Sequence, residues 1–142
     1  MGPDCGTAIL NGVPLAFANN VPCGKIGIVS ASGTGLQEIS STIANLGGGI
    51  SQAFGTGGRD GKKEIGGLML TACLEYLLED ENTEVIIVIG KPPCEEVQKK
   101  LWELISHSSK PVIANFLIPM QVPELPNLYY VRSLSETAFF AC

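Results

Sequence analysis

The chain has 142 residues, 45% of them hydrophobic and 16% charged, with a formal net charge of −5. That length suits one domain with a substantial core, and the composition excludes a disordered or highly solvated chain. The acidic balance, with nine scattered Lys and Arg residues, argues against nucleic acid or an anionic membrane as partner, because both are held by clustered basic side chains.

The first predicted element is a small hairpin: Thr7-Ala-Ile-Leu10 and Val13-Pro-Leu-Ala-Phe17 flank Asn11-Gly12, a pair that tolerates the positive φ angles of a two-residue turn. Pro14 is then expected on an edge strand. From residue 23 onward, short apolar strands alternate with helices, the pattern of a parallel sheet covered on both faces. Strands are predicted at 25–30, 49–54, 84–90, 111–116 and 128–131, and helices at 35–46, 64–78, 95–106 and from Ser133 to Ala141.

Several signals bound those helices. Leu36, Ile39, Ile43 and Leu46 form one stripe of the first, Thr34-x-x-Gln37 offers it a capping box, and Gly47-Gly-Gly49 stops it. The second is apolar on most sides and carries Gly66-Gly67 in its first turn, which suits packing against both the sheet and another surface. Ser133-x-x-Glu136 caps the last. The expected fold is therefore α/β: a flavodoxin-like five-stranded parallel sheet of order 2-1-3-4-5, with helices on both faces, preceded by an N-terminal β-hairpin.

No apolar run reaches the roughly 18–20 residues that span a bilayer, and the first residues lack the basic-then-apolar order of a secretory signal. A cytoplasmic location is the expectation. The five cysteines, Cys5, Cys23, Cys73, Cys94 and Cys142, include no C-x-x-C pair, so reduced thiols are expected and no metal site is assigned.

Function is concentrated in the loops. Ser30-Ala-Ser-Gly-Thr-Gly35 joins the first parallel strand to its helix, and a turn of small residues lets an anion approach helix N–H groups that lack internal partners. The candidates there are Ser30, Ser32, Gly33, Thr34 and Gly35. A second loop, Gly55-Thr-Gly-Gly-Arg-Asp60, follows the second parallel strand and is expected at the same sheet edge. It adds Gly57, Gly58 and the planar cation of Arg59, with Asp60 as an acceptor at the crevice rim. Lys91, after the third parallel strand, completes the set with a cation suited to phosphate or carboxylate. No Walker A sequence is present.

Residues 27–38, 46–60 and 64–67 together resemble the CoA-ligase domain of the succinyl-CoA synthetase alpha-subunit superfamily, above all its FdrA-like acyl-CoA synthetase branch. Met1-Gly-Pro-Asp-Cys-Gly6 is similar to the turn that ends the preceding CoA-binding Rossmann domain in that family. The resemblance implies that residues 1–22 are a hairpin segment ending such a domain and that 23–142 are the ligase domain. It also implies CoA-thioester formation through an acyl phosphate. CoA or nucleotide would be held through further domains, and a homo-oligomer or a partner subunit is expected.

Two departures from the synthetases matter. The loop where they carry a phosphorylated histidine corresponds to 117–127, which holds Pro119, Pro123 and Pro126 but no histidine; an acidic position is replaced by Lys91 in Gly90-Lys-Pro-Pro93. His107, the one histidine, falls at a predicted helix C-terminus, where it suits capping. No residue is assigned to catalysis, and Cys5, with no basic neighbour, reads as structural. The expected ligand is a small-molecule phosphate, an acyl phosphate or a CoA-linked group. Alternative readings are a carbamoyltransferase subunit domain in allantoin or purine degradation, or a non-catalytic oligomerisation domain. A flavodoxin is disfavoured, because the crevice loops lack the aromatic flanks of a flavin.

Overall fold

The computed structural model describes residues 4–142. Met1, Gly2 and Pro3, part of the turn similar to the family's Gly-Pro-Asp-Cys segment, lie outside the described residues. In chain order the elements are β1 (Thr7–Leu10), β2 (Val13–Ala16), β3 (Cys23–Ser30), α1 (Gly33–Asn45), β4 (Ile50–Gly55), α2 (Leu68–Glu79), β5 (Val85–Gly90), α3 (Glu95–Ser106), β6 (Val112–Phe116), β7 (Leu128–Tyr130) and α4 (Leu134–Ala141).

All seven strands form one sheet of order β2-β1-β4-β3-β5-β6-β7. β3 pairs in parallel with β4 on one side and β5 on the other, and β6 and β7 continue the parallel set. The sheet is therefore not a five-stranded parallel one with a hairpin set before it. It is mixed, because β1 pairs antiparallel with β4, Ala8 opposite Phe54 and Ile9 opposite Ala53. The physical reason is the outer edge of β4: left alone it would expose a row of unpaired N–H and C=O groups, and the hairpin occupies that row. Pro14 lies on β2, the edge strand, where a missing N–H costs nothing to the ladder.

Alternation along the central strands divides the core. Ile28, Ile87, Ile89 and Ile113 join Leu36, Ile39 and Ile43 of α1 and Ala138 of α4 on one face. Val29, Ile86, Val88 and Val112 join Leu74 and Leu77 of α2 and Val97 and Leu101 of α3 on the other. β5 is buried on both faces apart from its first residue, as a central parallel strand must be.

Two helix starts differ from expectation. α1 begins at Gly33 with Ser32 as N-cap, its side chain accepting from the Gly35 N–H, so Ser32 and not Thr34 caps the helix. The serine is two residues closer to the strand and has the extended backbone that a cap requires. α2 begins at Leu68, not at residue 64, because Gly66 and Gly67 take φ values of 72° and 70°, outside the right-handed helical region.

Candidate functional site

The loops leaving β3, β4 and β5 meet at the carboxyl edge of the parallel strands, where ligands of open α/β sheets bind. Ser30 is fully buried. Its hydroxyl donates to the Ser32 carbonyl at 2.7 Å and accepts from the Ser32 N–H at 3.1 Å, so it builds the turn and has no surface for a ligand. Ser32 Oγ accepts from Gly35 N–H at 3.0 Å, and the Ser32 carbonyl accepts from Leu36 N–H at 3.0 Å. The third and fourth N–H groups of α1 are thereby satisfied, and among the described residues those of Gly33 and Thr34 are left as the donors at the positive end of the helix. Gly35 is buried behind them.

The second loop is built differently. The Thr56 N–H donates to the Ser30 carbonyl at 2.8 Å, locking the two loops side by side. Gly57 has φ +86°, which favours glycine, and a methyl group there would overlap the Asp4 carboxylate. Arg59 faces Asp4: its N–H lies 3.4 Å from Oδ1 and its Nε 3.6 Å from Oδ2. Asp60 is not at the rim. It is fully buried, accepting from the N–H groups of Met69 at 2.9 Å and Leu70 at 2.8 Å. Two of the N-terminal donors of α2 are thus taken up by the chain's own carboxylate.

Two adjoining cavities, of 370 and 330 Å³, share Ala31 and Gly58. The first holds Gly33, Thr34 and Gly57 together with Asp4, Cys5, Thr7 and Gln37. The second holds Ser32, Lys62, Lys91, Pro92, Pro93 and Leu117. Of the residues singled out from the sequence, Ser32, Gly33, Thr34, Gly57, Gly58 and Lys91 line this double cavity, whereas Ser30, Gly35 and Arg59 do not. Asp4, Thr7, Gln37 and Leu117 were not among those candidates. Asp4 and Thr7 reach the site because β1 joins the sheet beside β4, a pairing between segments more than forty residues apart that leaves no local mark.

A larger hollow of 790 Å³ lies between α2 and α3, lined by Glu75, Glu79, Glu103, Lys100 and His107 among others. Three glutamates line it against the one lysine, so its charge does not suit an anion. His107 is the C-cap residue of α3, with Nδ1 2.8 Å from the Glu103 carbonyl oxygen. Among the described residues no group of three or more His, Cys, Asp or Glu gathers as a metal site, all five cysteines are free, and no helix is long and apolar enough to cross a membrane.

The sequence and the fold have counterparts. The chain belongs to the CoA binding domain family, which matches residues 23–117. It is 48% identical over 142 residues to the uncharacterized protein YahF of Escherichia coli, covering 99% of this chain and 28% of that one. It is 32% identical over 117 residues to subunit alpha 1 of the ADP-forming succinate–CoA ligase of Archaeoglobus fulgidus, covering 80% of this chain and 38% of the relative. The malate–CoA ligase subunit alpha of Methylorubrum extorquens is 32% identical over 102 residues, with 71% and 32% covered. The chain thus spans between 28% and 38% of the length of these relatives.

Among solved structures, the Pyrococcus horikoshii protein PH0766 superposes over 99% of this chain and 32% of its own, with a TM-score of 0.69 and 16% identity. The dinucleotide forming acetyl-coenzyme A synthetase 1 of Ca. Korarchaeum cryptofilum, in complex with phosphate and ADP, superposes over 82% of this chain and 25% of its own at TM-score 0.67 and 19% identity. Both likenesses are of fold.

Proposed function

We propose that this chain is the ligase-type unit of a larger acyl-CoA synthetase of the FdrA-like branch, holding the phosphate or carboxylate head of its ligand in the double cavity. Residues 23–142 are that unit, and residues 1–22 end the unit before it. CoA and nucleotide are bound by other domains or by a partner subunit. The observation that carries the reading is the pair of N–H groups on Gly33 and Thr34, without a partner among the described residues at the positive end of α1, with Lys91 and Lys62 lining the adjoining cavity.

In this reading the chain's own residues bind and orient. The two N–H groups hold ligand oxygens, the lysines offset their charge, and Pro92, Pro93 and Leu117 shield one side of the second cavity from water. No histidine lies in 117–127, and His107 sits at the end of α3 remote from the cavity. The phosphate held is therefore the ligand's own. The test is amide NMR during titration with inorganic phosphate: shifts should concentrate at Gly33 and Thr34, while shifts scattered over surface amides would sink the reading. Calorimetry with acyl phosphate, carbamoyl phosphate, CoA and ATP then assigns the head group. Binding of carbamoyl phosphate alone favours the carbamoyltransferase alternative.

A second reading, assembly, rests on the hairpin. Beyond α2 the sheet face formed by Leu10, Val13 and Leu15 has no helix over it, and these side chains are exposed alongside Tyr76 and Leu68 of α2. Such a patch suits another subunit or domain of a ligase. Solution mass discriminates: a dimer that Leu15→Lys dissociates supports assembly through this face, and a monomer at high concentration contradicts self-association.

A further inference from the structure

Asp4 is an acid in a site read here as one for anions. Its carboxylate lies on the Gly57-Gly58-Arg59 turn, against the Cα of Gly57, with the Arg59 N–H and Nε turned toward its two oxygens. The segment is seated there: Cys5 Sγ occupies the space that a methyl group on Gly55 would need, and the Gly6 carbonyl accepts from the Phe17 N–H at 3.1 Å. Asp4 and Gly57 also line the same cavity as Gly33 and Thr34. The second glycine-rich loop thus has an anion already in it, supplied by the chain.

We propose that Asp4 is an autoinhibitory stand-in for the ligand, holding Arg59 away from the cavity until an incoming phosphate displaces the carboxylate and takes Arg59 over. The idea rests on the ligand reading above and adds a threshold to it. An exposed ion pair with distances near 3.5 Å is weak, so it yields to a ligand able to make shorter, charge-assisted bonds. It still keeps the guanidinium from anions that bind loosely. Arg59, absent from the cavity wall in the free protein, becomes the clamp of the occupied one.

The experiment is a double-mutant cycle read by phosphate affinity, using Asp4→Asn, Arg59→Gln and the double variant of the full chain, each checked for unchanged thermal unfolding. Asp4→Asn should bind inorganic phosphate roughly three- to tenfold more tightly, and that gain should vanish in the Arg59→Gln background. An equal gain in both backgrounds overturns the proposal, since Asp4 would then act only through its field. An unchanged or weaker affinity in Asp4→Asn overturns it as well. If the wild type shifts the Gly33 and Thr34 amides but shows no coupling, only the stand-in fails; if no variant binds phosphate there, the ligand reading fails with it. The Arg59 Nε resonance gives a second readout, because it should move on phosphate addition in the wild type.

Discussion

The carboxylate of Asp60 accepts from the backbone N–H of Leu70 at 2.8 Å, closing the N-terminus of α2 from inside the core. The same end of α1 is closed only at its third and fourth donors, by Ser32. Two similar strand–loop–helix units therefore serve different ends, one structural and one open to the cavity.

Asp60→Ala should destabilise the chain by about 2 kcal/mol or more, because two buried N–H groups lose a charged acceptor at once. Urea unfolding measures this. Phosphate affinity per folded molecule should be unchanged, since Asp60 lines neither cavity of the site; a selective loss of affinity would contradict its structural role.

Lys91→Gln should act the other way, weakening phosphate binding about three- to tenfold with a stability change within ~0.5 kcal/mol. The side chain is exposed at the rim of the second cavity. Repeating the titration at higher salt should shrink the difference, because screening already removes part of the lysine's contribution.

Gly57→Ala should cost about 1–2 kcal/mol from its positive φ, and more from the collision with Asp4. Combining it with Asp4→Ala separates the two contributions. Stability should recover in part, by the steric share alone, and full recovery would show that the backbone at residue 57 is not strained.

Asp80 gives a pH dependence. Burial raises its pKa, but hydrogen bonds from the Thr83 hydroxyl and the Asn82 amides, with the Lys110 charge, outweigh that and hold it below the ordinary value. A carboxyl depressed in the folded state contributes stability above its unfolded pKa of about 4 and loses it as the pH falls through the lower folded value. Wild type should therefore lose stability on acidification below about pH 4, and Asp80→Asn should lose less over the same range. Parallel acid limbs for the two proteins would contradict the assignment.

Much of the local architecture is readable from residue order. The β5 run Val85-Ile-Ile-Val-Ile89 reads as a strand buried on both faces apart from Val85, and the Leu36, Ile39 and Ile43 stripe reads as one face of a helix. Ser133 capping Glu136 N–H at 3.1 Å follows from the Ser-x-x-Glu spacing. The start of α2 was less readable, because residues 64–67 carry no local mark of the positive φ values that Gly66 and Gly67 adopt, nor of the contact with Val97 that a side chain at Gly67 would make.

At the site the division is sharper. The sequence alone determined that two small-residue loops follow adjacent parallel strands and that one of them opens a helix, because strand and helix periods and Gly/Ser turns are local properties of the chain. Only the tertiary structure decided which polar groups are still free: Ser30 and Asp60 are spent on backbone partners, Gly33 and Thr34 are not, and Asp4 meets Arg59 across 55 residues of sequence. Whether a donor or an acceptor is available depends on what distant segments bring to it, and no spacing along the chain records that.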